Sequence, residues 1–154
     1  MMKKILKWLV SCFLVIGLFG IAYAQFAKPE NAIEYRQSVM VLLGHHFSQI
    51  AAVVQGKKPF DPKQVEKNAM LVDTLAKLSW EAFMVPGAEK GKTHLNAKAF
   101  SKDQAGFKAH ADAFMAAADK LAKVSAEGNL DAIKAQFGAV GKTCKGCHVQ
   151  YRAQ

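Results

Sequence analysis

Cys144-Lys145-Gly146-Cys147-His148 sets two thiols three positions apart and an imidazole directly after the second. At that spacing the thiols can add to the vinyl groups of a haem while the histidine ligates its iron, the chemistry of covalent c-type attachment. Only six residues follow the motif. Any second iron ligand, and nearly all of the haem pocket, must therefore come from upstream. The rival readings of the cysteine pair are a redox dithiol, a structural disulfide or half of a zinc site. Zinc would need two further Cys or His at ligand spacing, and His45-His46, His94 and His110 form no such pattern. A thioredoxin-like centre follows a strand in a βαβ unit, and no segment here alternates like a strand. Attachment of one haem is the favoured reading, with a dithiol or disulfide as the alternative.

Upstream residues that bear on this chemistry can be found by their place in helical patterns. Arg36 occupies a seam position whose heptad neighbours are apolar, and a buried guanidinium is costly without an anion. A haem propionate is an available anion, although Arg36 could instead reach water near its helix start; Gln37 could add a hydrogen bond beside it. His148 would bind iron through one ring nitrogen. Arg152, one turn further on, could act on that imidazole, reach a propionate, or simply complement the helix C-terminus. Met40 lies on an inward stripe and, with Phe83, would cover the far side of the iron. Such a site is apolar and five-coordinate, closed to large or charged ligands and open to nitric oxide and carbon monoxide, which need no distal hydrogen-bond donor.

The elements that must position these groups read as four helices. The first runs from about Pro29 to Val54 with Ile33, Met40, Phe47 and Val54 seven apart and Arg36, Leu43 and Ile50 three residues after each of the first three. Gln55-Gly56-Lys57-Lys58-Pro59 ends it. Asp61-Pro62-x-Gln64 then supplies an N-cap, a first-turn proline and a capping-box glutamine for a second helix with Val65, Val72, Leu75 and Phe83 on its inner face. A long connection containing Pro86, Gly87 and Gly91 leads to a third helix, expected to start at the capping box Ser101-x-x-Gln104 and to bury Phe107, Phe114 and Leu121. Gly128-Asn129 caps a fourth, whose apolar positions Leu130, Ile133, Phe137, Val140, Cys144, Cys147 and Tyr151 step by three and four. Both cysteines continue that stripe. The expected fold is all-α, an antiparallel four-helix bundle enclosing the haem.

Compartment and charge narrow the function further. Lys3, Lys4 and Lys7, an apolar run over residues 9–23 and Ala22-Tyr23-Ala24 read as an export signal, giving residues 1–24 as a removed signal peptide and 25–154 as one mature domain. The run is shorter than the roughly 20 residues of a spanning helix, so no membrane association is expected after cleavage. Cys12 leaves with the signal, so the mature chain keeps only the paired cysteines. A bacterial periplasm is the expected location. The chain carries 21 basic and 12 acidic residues, a net charge of +9; loss of three signal lysines and gain of two propionates would bring this to about +4. The basic residues are interspersed with acids, which argues against nucleic-acid binding.

The segments Gln25-Phe26-Ala27-Lys28-Pro29-Glu30, Tyr35-Arg36-Gln37-Ser38, Trp80-Glu81-Ala82-Phe83, the haem motif and Tyr151-Arg152 together resemble the cytochromes c′, and the resemblance spans essentially the whole mature chain. It implies a four-helix bundle with a high-spin, five-coordinate haem c, commonly a homodimer through its first two helices, implicated in nitric oxide binding and detoxification and classed with electron-transfer proteins. By position it implies His148 as the axial iron ligand, Cys144 and Cys147 as thioether anchors, Arg36 and Gln37 as propionate-side contacts, Met40 and Phe83 as distal cover and Arg152 as the proximal-side arginine. The segment around Lys92-Thr93-His94-Leu95 corresponds to the family's haem edge, which makes Thr93 a haem contact. The family's distal residue is often leucine, where this chain has Met40. The alternative function is a low-spin electron carrier with Met40 as sixth ligand. Peroxidase-like catalysis lacks a distal acid–base histidine, so no enzymatic activity is expected.

Overall fold

The computed structural model describes residues 26–153; the expected signal segment, with Cys12, and Gln25 lie outside the described residues. Four long helices, α1 (Pro29–Val54), α2 (Pro62–Ala76), α4 (Gln104–Ala126) and α5 (Leu130–Tyr151), account for most of the chain. A short helix α3 (Ala97–Lys102) and a 3₁₀ turn (Glu81–Phe83) lie in the connection between α2 and α4. Helix α1 packs on α2, α2 on α4, α4 on α5, and α5 back on α1. The expected four-helix bundle is the observed one.

Local sequence explains the helix ends. Asp61 caps α2, its carboxylate accepting from the amides of Lys63 and Gln64 ahead of Pro62 at the first turn. Asn129 caps α5 in the same way through Asp131 and Ala132, after Gly128 takes the left-handed conformation that reverses the chain. Two expectations are corrected between α2 and α4. Phe83 is not on α2, which stops at Ala76; it belongs to the 3₁₀ turn, reached through Trp80, whose indole N–H closes back on the Ala76 carbonyl at 2.6 Å. Ser101 caps nothing, because it sits inside α3. The N-cap of α4 is Asp103, with φ −143° and ψ 67°, accepting from Gly106 N at 2.8 Å. Asp103 is also the partner of Tyr151 on α5, and that long-range contact fixes where the helix breaks.

The main core joins all four long helices: Val39, Leu43 and Ile50 of α1, Val65, Ala69 and Val72 of α2, Phe114, Ala118 and Leu121 of α4, Ile133 and Val140 of α5. Burying a large aliphatic or aromatic side chain is worth about 1.5–3 kcal/mol. Phe47 and Phe137 stack at 4.1 Å across α1 and α5. The heptad seams of α1 and α5 therefore do face inward. Gln136 of α5 is buried as well, donating to the Ala117 carbonyl at 2.9 Å.

Candidate functional site

Cys144, Cys147 and His148 occupy the last two turns of α5. Cys144 packs at the edge of the main core, where Met40 and Trp80 also lie. Cys147 packs against a second apolar cluster made by Leu95, Phe100, Phe107 and Tyr151, with Trp80 and Phe83 beside it. Aromatic rings dominate this second wall: Phe83 lies 4.9 Å from Phe107, which in turn lies 5.0 Å from Phe100 and 5.2 Å from Tyr151. Both thiols are half-buried and free of disulfide. Burial pushes each thiol's pKa up, and for Cys147 the neighbouring Cys144 adds to the rise. They stay protonated and neutral near pH 7.

His148 follows on the exposed side of the same turn. Desolvation of its ring, and then the charge of Arg152, hold its pKa below the ordinary imidazole value. A neutral imidazole has a nitrogen lone pair to offer a metal. The chain immediately after it is fixed by pairing: Leu95 and Arg152 form an antiparallel bridge, Asn96 N donates to the Tyr151 carbonyl at 2.8 Å, and Ala153 N donates to the His94 carbonyl at 2.8 Å. Tyr151 Oη lies 3.0 Å from Asp103 Oδ2, and Gln150 donates to the same hydroxyl at 3.0 Å. This knot holds the last turn of α5, and with it His148, against α4 and the 93–96 segment. No periodicity argument announces it, since it depends on pairing across about fifty residues.

Arg36 is only 2 % exposed, as its place in the seam predicts, and its guanidinium makes three hydrogen bonds within the chain. Nη1 donates to the Ala82 carbonyl at 3.0 Å; Nη2 donates to the Ala88 carbonyl at 2.5 Å and to Thr93 Oγ1 at 2.7 Å. The cation also lies 4.5 Å from the centre of the Phe83 ring. The 82–93 connection supports its burial, with the charge of Glu89 also acting on it. Thr93 Oγ1 also accepts from Leu95 N at 3.2 Å, and Gln37 donates to the Lys92 carbonyl at 3.0 Å. Arg36, Gln37 and Thr93 thus form one network that anchors the connection and shapes the wall bearing Phe83 and Leu95. Gly87, at φ 87°, supports the same anchor: a Cβ there would press to 3.1 Å from Pro29 at the start of α1.

The residues fit a haem. Two neutral thiols on one helix face, an adjoining neutral imidazole and an apolar, largely aromatic wall supply anchors, an iron ligand and a surface for a flat macrocycle. The other histidines are engaged or remote from the apolar wall. His46 Nδ1 is 2.9 Å from Asn68 Oδ1, His45 lies edge-on to His46, His94 is exposed, and His110 packs edge-on to Tyr151 beside Gly146. No group of three or more His, Cys, Asp or Glu suited to a metal ion occurs among the described residues.

Comparison with known proteins gives a concordant result. A family model described as Cytochrome C′ matches residues 31–152. The chain is 48 % identical over 128 residues to cytochrome c′ of Rubrivivax gelatinosus, covering 83 % of this chain and 98 % of that one. It is 41 % identical to cytochrome c′ of Alcaligenes xylosoxydans xylosoxydans, with coverage of 83 % and 98 %. The Rubrivivax gelatinosus crystal structure superposes with a TM-score of 0.79 at 49 % identity, covering 83 % of this chain and 99 % of that chain. The nitric oxide complex of a single-residue variant of cytochrome c prime from Alcaligenes xylosoxidans superposes with a TM-score of 0.78 at 40 % identity, covering 84 % and 99 %.

Proposed function

The chain belongs to the cytochrome c′ family, and on that premise we propose that it is a periplasmic, non-enzymatic monohaem protein that binds nitric oxide and carbon monoxide at a high-spin, five-coordinate iron. When bound, the haem supplies an iron that coordinates small diatomic molecules and exchanges one electron. Cys144 and Cys147 would hold it covalently, and His148 would be the single protein ligand to its iron. Met40 and Phe83 would serve as the distal cover, excluding water and ions and admitting a small neutral guest. Arg36, Gln37 and Thr93 would be the contacts on the propionate side. Desolvation of the ring, and then the charge of Arg152 on the proximal side, favour the neutral imidazole.

The observation that carries this reading is the apolar, largely aromatic wall around the thiols. Nitric oxide complexes of a relative add weight to the choice of ligand. Buffering or scavenging of nitric oxide is the role that follows, with electron transfer as a second capability. Exposed apolar surface on the first two helices, Val41 and Leu42 on α1 and Met70 on α2, supports a homodimer through those helices. Concentration-dependent mass in solution tests it, and an intact mass beginning at Gln25 tests export.

One residue supports a second reading. Met40 is half-buried and shares its cluster with Cys144, so its thioether is a candidate sixth ligand in a low-spin electron carrier. Optical spectra of the ferric and ferrous protein separate the two. High-spin spectra that respond to nitric oxide and carbon monoxide are expected. A low-spin ferrous spectrum with a methionine-to-iron charge-transfer band in the ferric form, lost in Met40→Ala, would refute the gas-binding reading.

A further inference from the structure

The charges of this chain are sorted by region. Residues 90–102 carry Lys90, Lys92, Lys98 and Lys102 and no acid; residues 138–153 carry Lys142, Lys145 and Arg152 and no acid. The rest of residues 25–154 holds eleven basic against twelve acidic side chains. The whole positive excess of that domain therefore sits in two segments, and the fold packs them together. Leu95 pairs with Arg152, His94 and Asn96 bond to the backbone of Ala153 and Tyr151, and α3 packs on α5. All seven cations are exposed.

Within α5 the arrangement is finer. Lys142, Lys145, Val149 and Arg152 follow one another at steps of three, four and three, which puts them on one face of the helix end. Val149 is 76 % exposed, the most exposed of the large hydrophobic side chains among the described residues, and His148 is exposed beside it. An apolar spot ringed by cations, directly over the helix turn that bears the cysteines, has the form of a small interface with a polar rim.

We propose that this face is the docking surface for an acidic redox protein, one that presents carboxylates around its own electron-exchanging group, with Val149 at the centre and Lys142, Lys145 and Arg152 at the rim. The proposal rests on the haem reading above. A like-signed rim steers an oppositely charged partner and raises its association rate, strongly at low salt. Nucleic acid is disfavoured because no exposed aromatic is interleaved with these cations. A membrane is disfavoured because one valine is too little apolar surface to insert.

The test uses the matured protein and two anionic probes, a fluorescent decaglutamate peptide and hexacyanoferrate(III). Hexacyanoferrate(III) takes one electron from the ferrous protein and becomes hexacyanoferrate(II). Two double charge reversals of equal net change are compared: Lys142→Glu with Lys145→Glu on the proposed face, and Lys57→Glu with Lys58→Glu in the turn after α1, at the opposite end of the bundle. Between about 10 mM and about 150 mM salt the Debye length shrinks from about 30 Å to about 8 Å, and the oxidation rate should fall by about tenfold or more. The first double variant should lose most of that salt dependence and bind decaglutamate at least about tenfold more weakly. The second should lose little of either. Equal effects of the two variants would reduce the surface to net charge and overturn the proposal. Binding to anionic phospholipid vesicles that decaglutamate does not displace would also overturn it, in favour of a membrane. Peptide anisotropy needs no colour in the protein, so a failed haem reading silences the oxidation arm while peptide binding still decides this one.

Discussion

Replacing Arg36 should loosen the 82–93 connection before anything else. Ala82 and Ala88 are fully buried, and their carbonyls receive the arginine's N–H groups at 3.0 and 2.5 Å. In Arg36→Met both acceptors lose their donor inside the protein, and leaving a buried acceptor unsatisfied costs about 1–3 kcal/mol each. Against that stands the relief of a desolvated cation, since burial already lowers the Arg36 pKa, and the apolar methionine fills part of the vacated volume. A net loss of about 3 kcal/mol results, or roughly 10 °C in Tm for a domain of this size. Arg36→Lys should recover only part, because one ammonium cannot serve carbonyls and a hydroxyl held apart by a planar fork. Hydrogen exchange gives the decisive readout. The turn amides of Ala88, Lys90 and Thr93, bonded to Val85, Gly87 and Gly91 carbonyls, should lose protection while α2 and α4 keep theirs. Stability within about 0.5 kcal/mol of the parent, a surface-like value, with unchanged exchange would refute the anchor. An altered haem spectrum with intact exchange would assign Arg36 to the propionates alone.

Two further predictions concern the knot at the end of α5. Tyr151 titrates at about 12 in the folded chain against an ordinary value of 10, raised by burial and then by its bond to Asp103; its contribution is therefore complete below pH 10 and lost as pH rises through about 12. Tyr151→Phe should cost about 1 kcal/mol at neutral pH, and the difference from the parent in urea unfolding should close across that alkaline window; a constant gap would refute it. Asp103 has the opposite sign: the Gly106 amide, then Tyr151, lower its pKa, so its stabilisation is present above the ordinary carboxylate range and fades as pH falls through its folded value, a slope that Asp103→Asn should remove. Gly106→Ala, usually favourable in a helix by about 1 kcal/mol, should here destabilise, because a Cβ would strike the Asp103 carboxylate and come to 2.7 Å from Tyr151 Oη; a raised Tm in thermal unfolding would refute the crowding.

Periodicity made the bundle legible because one physical rule, burial of a stripe every three or four residues, governs all four long helices. Ile33, Leu43, Ile50, Val65, Val72, Phe107, Phe114, Leu121, Ile133 and Val140 all lie where that rule assigns them. The haem motif was legible for a different reason, since its chemistry is local and needs no fold to be recognised. What stayed hidden depends on pairs distant in sequence. Asp103 and Ser101 are equally good caps on paper; Tyr151, forty-eight residues away, decides for Asp103. Gln136 reads as a surface residue until α4 brings the Ala117 carbonyl to it.

Arg36 shows how far a correct local inference reaches. Its seam position implied burial, which holds, and burial of a cation called for a compensating anion. Sequence offered a haem propionate as an available anion, and the 82–93 segment brings a second one, Glu89, whose charge acts on the guanidinium. Within the chain, backbone carbonyls take its N–H groups, aided by Thr93 and the face of Phe83, and a carbonyl's availability is a property of how a loop turns, which side-chain identity does not encode. The arginine is therefore coupled to the site through architecture. It holds the loop that bears Phe83 and Leu95, and those side chains wall the cluster into which Cys147 reaches. A change at Arg36 should alter ligand access to the iron even where no propionate contact is lost.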